Sequence, residues 1–176
     1  MHLQFKISEK DFLTFQLYTL SKSEKVQQRM KRGRIFATIL GVILAFNLFI
    51  TDAMYAGIVM VVGIVLIYYF YPQYHKWRMK RNFANYIKHN YNERFDKEEE
   101  LTVHDKGILS KNISGEGEIP KSELTKLIEI QELFLIGMTN GAAIILPKNE
   151  VSEASRCKSA LKNIGVGYVA ELDWKY

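Results

Sequence analysis

With one cysteine, Cys157, in 176 residues, the chain can form no internal disulfide, and nothing in it requires an oxidising compartment. Cys157 falls in a helical pattern and reads as a packed thiol. The four histidines, His2, His75, His89 and His104, are scattered and show no His-x-x-x-His spacing, which argues against a metal site. Gly115 and Gly117 lie in an acidic stretch that lacks the Gly-x-x-x-x-Gly-Lys-Ser/Thr pattern of a phosphate cradle, and read as a break between strands. His104, Asp105 and Ser114 are close in sequence, but no nucleophile elbow frames them. Glu98, Glu99 and Glu100 read as a solvated linker rather than paired catalytic carboxylates. No catalytic, cofactor-binding or metal-ligating residue is assigned, and the expectation is a non-enzymatic protein without a cofactor.

Charge is scarcest between Ile35 and Tyr71, where Asp52 is the only charged side chain in 37 residues. One helix of that length would extend roughly 55 Å, well beyond a hydrocarbon core of about 30 Å. Divided at Thr51–Asp52, the run gives two pieces of spanning length, so residues 35–71 read as a two-span transmembrane hairpin turning at 51–52. Asp52 then sits among headgroups and water, where its carboxylate can cap the amides opening the second helix. The alternative, an intramembrane proton relay, finds no second acidic or basic partner. Ala37, Gly41 and Ala45 recur every four positions, as do Ala53 and Gly57. Such faces let helices approach closely, within the hairpin or between copies of the chain. Asn47 is placed to donate across helices.

Where charge is present, it is uneven. Residues 1–97 hold 15 Lys or Arg against 6 acidic residues, and residues 98–176 hold 9 against 13. The cations crowd both flanks of the apolar run, which is not the pattern of a basic nucleic-acid-binding domain. Arg29, Lys31, Arg32 and Arg34 before it, with Lys76, Trp77, Arg78, Lys80 and Arg81 after it, are expected to meet anionic headgroups. The turn carries no cation, so the positive-inside rule puts both termini in the cytoplasm, across a bacterial inner membrane. Tyr68, Tyr69, Tyr71 and Tyr74 suit an aromatic belt. The late start of the apolar run and the absence of an Ala-x-Ala site speak against a cleaved signal peptide.

The flanking segments are periodic. Leu3, Phe5 and Ile7 alternate with polar residues, predicting a strand, and Ser8 to Asp11 resembles a capping box opening a basic helix within residues 1–34. That helix packs on the soluble part or docks independently. In residues 72–97, Met79, Phe83, Ile87, Tyr91 and Phe95 make a stripe on a basic helix, set either on lipid or on protein. From residue 98 onward short strands follow: Leu101–His104, a turn at Asp105–Gly107, Ile108–Ser110, Leu127–Ile130 and Phe134–Ile136. Asn140-Gly141 between apolar runs predicts a type I′ hairpin. A helix over 149–164, capped by Asn149 and ended by Gly165, buries Val151, Ala154, Cys157, Leu161 and Ile164. Residues 98–176 thus read as a cytoplasmic α+β module, a small antiparallel sheet or partial barrel closed by a C-terminal helix.

The Asp105-Lys106-Gly107 turn, the Ile119–Leu127 stretch and Ile145-Leu146-Pro147-Lys148 before the last helix resemble the YcxB-like family of bacterial membrane proteins. The likeness covers nearly the whole chain, and implies a pleckstrin-homology-like C-terminal fold with no assigned catalytic residues. Lys121-Ser122 departs from the Trp-Ser often found there. Residues 98–176 are short for a seven-stranded module, so Leu3–Ile7 is available as an extra strand. Three functions are compatible: a membrane-held protein-interaction module, an oligomeric transport or channel subunit, and a membrane-bound enzyme. The first is favoured, with anionic lipid and an unidentified protein as partners, self-association possible, and nucleic acid excluded by the charge pattern.

Overall fold

The computed structural model describes residues 1–91, 95, 97–112, 115–150 and 154–176. They form two compact units, Met1–Gln16 with Ala84–Tyr176, and Leu17–Phe83. Arg94, Ser114, Val151 and Glu153 lie outside the described residues.

The first unit is built from two four-stranded sheets. One has the order β1 (His2–Lys6), β2 (Glu98–His104), β3 (Gly107–Asn112) and β4 (Gly115–Pro120), all antiparallel. The other is ordered β7 (Ala143–Pro147), β6 (Leu133–Met138), β5 (Leu124–Glu129) and β8 (Gly167–Ala170). The described strands do not close into a barrel. β1 alternates because Leu3 and Phe5 are buried while His2, Gln4 and Lys6 face solvent. It pairs with β2 from His2↔Thr102 to Lys6↔Glu98, and the Met1 ammonium donates to the Val103 carbonyl at 2.7 Å.

Helix α1 (Glu9–Lys22) opens with the reciprocal cap read from the sequence. The Asp11 amide donates to Ser8 Oγ at 3.2 Å, and the Ser8 amide donates to Asp11 Oδ2 at 3.0 Å. Helix α4 (Ala154–Asn163) contributes Cys157, Leu161 and, just beyond its end, Ile164 to a core shared by both sheets. Its end is a Schellman motif: Gly165 at φ +84° donates to Lys162 O, and Val166 to Leu161 O. Asn149 lies in the turn over 148–150, five residues before the described helix begins, so it is not seen capping α4.

Three local expectations are corrected. Asn140-Gly141 is not a type I′ turn, because only Gly141 has positive φ, at +83°. Gly141 N donates to Met138 O and Met138 N to Ala142 O, the three-residue loop in which a type I turn ends on a left-handed glycine. Gly115 and Gly117 do not break the sheet; both lie in β4, paired with Asn112 and Ser110. Glu98, Glu99 and Glu100 are not a linker but the start of β2, facing Lys6, Phe5 and Gln4. β8 was not read from the sequence; it runs parallel to β5, from Lys126↔Gly167 to Glu129↔Ala170.

The second unit is a pair of long apolar helices, α2 (Glu24–Ile50) and α3, of which Met54–Phe83 belongs to this unit and which ends at Asn90. Both are long and apolar enough to cross a membrane. α2 takes in the basic stretch before the apolar run, and α3 passes through Pro72 into the second basic stretch without a break at residue 72.

The turn between the helices revises the role of Asp52. Thr51 closes α2, and the Ala53 amide reaches back to the Leu48 carbonyl at 3.0 Å. That places Asp52 at the C′ position, in the left-handed region at φ +56°, a conformation short polar side chains tolerate. Ala53, whose carbonyl accepts from the Gly57 amide, is the N-cap residue of α3. Asp52 therefore ends the first helix rather than capping the second, and its exposed carboxylate makes no hydrogen bond among the described residues.

The small residues face the partner helix. A Cβ on Gly41 would come within 2.7 Å of Ile64 Cγ1, and one on Gly57 within 2.9 Å of the Phe49 ring. Ala45 is 4% exposed, Ala37 half-buried, and Ala53 half-buried in the turn. Asn47 does not bridge the helices: its side chain is exposed, and its carbonyl receives the Thr51 amide. Thr38 and Thr51 spend their hydroxyls on carbonyls of their own helix.

Candidate functional site

The basic ends of α2 and α3 meet around one cleft. A Cβ at Gly33 would lie 2.5 Å from the Tyr71 hydroxyl, so Tyr71 crosses α2 at Gly33 and the two ends of the apolar run are level. Between them lies a cleft of about 190 Å³ lined by Gln27, Met30, Lys31, Arg34, Tyr71, Pro72 and Lys76. Three of these seven residues are cations and none is acidic. The Arg34 guanidinium stacks 4.6 Å from the centre of the Tyr68 ring, a favourable cation–π contact. Its Nε is buried and has no hydrogen-bond partner among the described residues. An unmade hydrogen bond of this kind costs about 1–3 kcal/mol, and more on a charged group.

Of the positions expected to meet headgroups, the structure brings Lys31, Arg34 and Lys76 together here. Arg29, Arg32, Trp77, Arg78, Lys80 and Arg81 are exposed and lie outside the cleft. Arg81 sits over the Trp77 ring at 5.5 Å. Gln27, Met30 and Pro72 complete the lining and carry no signal in the sequence. Pro72 has no amide to give, so the Tyr68 carbonyl one turn earlier loses its usual helical donor.

The sheet unit has a cleft of its own, about 590 Å³, at one end of the space between its sheets. Its origin is a change of residue size along the inner face. Leu101, Val103 and Ile108 fill one end of that face, while Glu99, Ser110, Asn112, Gly115 and Gly117 occupy the other. A Cβ on Gly117 would meet nothing within 4 Å. Phe12, Ile119, Met138 and Ile144 give the cleft apolar walls. Glu99 is half-buried, and burial raises its carboxyl above the usual value. Glu116 and Glu118 alternate with the glycines and point away; Glu118 lies 3.6 Å from His104 Nε2. No cation is among the described lining residues, so the cleft is not built for an anion.

The strongest polar cluster is structural. Glu129 of β5 accepts from Lys148 Nζ and Lys158 Nζ, each at 2.8 Å, and from the Tyr168 hydroxyl. Burial alone would raise the Glu129 carboxyl, but the three donors outweigh it and hold it at about 2. The Lys158 ammonium is raised first by the hydrogen bond it donates to Glu129 and next by its interaction with the Tyr168 hydroxyl. Lys158 and Lys162 lie 4.3 and 4.0 Å from the Tyr168 ring centre. The cluster ties α4 and β8 to the sheet. Cys157 is fully buried, and burial pushes its thiol up to about 11, as for a packed, unreactive thiol. No group of His, Cys, Asp or Glu among the described residues could hold a metal ion.

Comparison with protein-family models, with curated proteins and with solved structures finds no match.

Proposed function

We propose that the chain is a non-enzymatic membrane protein of the YcxB-like kind. The helical pair crosses a bacterial cytoplasmic membrane twice and holds the sheet unit at the cytoplasmic surface, where it engages protein partners. The observation that carries this reading is the pairing of β1 with β2. Residues before the helical pair and residues after it belong to one folded unit, and one folded unit cannot occupy both sides of a bilayer. Two crossings satisfy that condition, and the cation-free turn at Thr51–Asp52 then faces the far side.

Large side chains on the helical pair support the same reading. Phe36 is 70% exposed, Val59 72% and Tyr55 87%, far more apolar surface than a water-soluble face carries. Among the described residues seven strands precede α4, the first supplied by residues 2–6, which supports a pleckstrin-homology-like module. The acidic balance of residues 98–176 and the cation-free cleft disfavour anionic headgroups as ligands of that module. The basic flanks supply the lipid contact instead. The full chain should stay with membranes through alkaline carbonate extraction and leave the ion permeability of reconstituted liposomes unchanged. Recovery in the aqueous phase without detergent would overturn the membrane reading, and a protein-dependent leak would replace the interaction role with a transport role.

A further inference from the structure

We propose that the cleft between the basic ends of α2 and α3 binds the phosphate of one anionic glycerophospholipid per chain. The inference rests on the membrane reading above and adds a built site to a diffuse basic surface. Its motive is the buried Arg34 Nε, which has no hydrogen-bond partner among the described residues and lies near Lys31 and Lys76, with no carboxylate among the described lining residues. The helical unit holds ten Lys or Arg against Glu24 and Asp52 alone, so acidic neutralisers within it are few. A phosphate diester brings the missing acceptor, and a guanidinium takes two of its oxygens in parallel. Lys31 and Lys76 add point charges from the two sides.

Level decides the source of that phosphate. Ile35 opens the apolar run on α2 and Tyr71 closes it on α3, and the Gly33–Tyr71 contact sets these two ends side by side. The cations of the cleft therefore stand where headgroups stand in a spanning pair. Met30, Tyr71 and Pro72 give the lining apolar surface for the glycerol and upper acyl region, which inorganic phosphate would leave bare.

The full chain, purified in detergent with phosphatidylglycerol and phosphatidylcholine in equal amounts, is assayed for retained lipid by native mass spectrometry. One phosphatidylglycerol per chain is expected, and Arg34→Gln should lower its retention about tenfold, the equivalent of about 1.4 kcal/mol. Arg81→Gln removes the same charge from an exposed position and should change retention less than about twofold. Arg34→Lys keeps the charge without the planar fork, and its retention should fall between those two; it also serves if Arg34→Gln does not accumulate. Equal losses from Arg34→Gln and Arg81→Gln, or wild-type retention in Arg34→Lys, would overturn the site. Displacement of the lipid by millimolar inorganic phosphate would reassign it to a free anion. Failure of the wild-type chain to resist carbonate extraction would instead overturn the membrane reading, which keeps the two failures distinct.

Discussion

The sheet unit buries its large aliphatic side chains, whereas the helical unit turns many of its large apolar side chains outward and its small residues inward. In the sheet unit Leu101, Ile108, Leu127, Ile136 and Leu146 are fully buried at the centre, and Lys6 pairs with Glu98, Lys10 with Glu132 and Lys111 with Glu100 at the surface. In the helical unit the inward face is Gly41, Ala45 and Gly57, and the outward face is phenylalanine, isoleucine and valine. Apolar burial can drive the first arrangement in water. In the bilayer we propose for the helical unit, apolar burial cannot drive the second, because lipid is as apolar as the side chains facing it, and close backbone contact takes over. On that proposal the two units answer to two solvents.

Truncating a large apolar residue should separate the units most sharply. Leu127→Ala, in the shared core, should cost the sheet unit about 2–5 kcal/mol, read as loss of hydrogen-exchange protection in β5 and β6. Phe36→Ala, on the outside of α2, should leave that protection within about 0.5 kcal/mol of wild type. A comparable loss from Phe36→Ala would mean that the helical unit is packed against protein rather than lipid.

Next in size is the response to a larger residue on the helix contact. Gly41→Val drives its side chain into Ile64 and should weaken the pairing of α2 and α3 by about 1–3 kcal/mol, read by thermal loss of helical circular dichroism in micelles. The Glu129 cluster comes third. Glu129→Gln should destabilise the sheet unit by about 1–2 kcal/mol near neutral pH. Because the folded-state carboxyl lies at about 2, below its ordinary 4.5, its stabilisation is complete above 4.5 and is lost as pH falls through about 2. Urea midpoints measured across that window should slope in the wild type and flatten in Glu129→Gln. Smallest, and opposite in sign, is Gly117→Val. Its Cβ enters open space in a strand without positive φ, so the sheet unit should gain about 0.5–1 kcal/mol.

The comparison also explains what was legible in the sequence. Apolar runs and period-two strands follow from each residue's own hydropathy, so the two long helices, β1 and most of β2 to β7 could be read directly. Position along a turn could not. Asn140 accepts a negative φ because Gly141 alone carries the left-handed residue of that loop. Its sequence position suits Asp52 to the helix after it, although the hydrogen bonds place it at the end of the helix before it. Gly115 and Gly117 look like a break until their strand partners are known, and β8 is four residues held in place by β5 from 41 positions away. The clefts were legible least of all. Lys31, Arg34 and Lys76 were singled out with six other surface positions, and only the crossing of Tyr71 over Gly33 separates them. Glu129, bound by three donors from the turn after β7, from α4 and from β8, carries no sign of that in its own strand.

Sidedness tests the central claim most directly. In a Cys157→Ser background, Asp52→Cys, Gln4→Cys and Asp105→Cys are each labelled in intact cells with a membrane-impermeant maleimide, before and after permeabilisation. The two-crossing arrangement predicts that Asp52→Cys reacts in intact cells, while Gln4→Cys and Asp105→Cys react only once the membrane is opened. Labelling of Gln4→Cys and Asp105→Cys from opposite sides, or of all three from the same side, would contradict it.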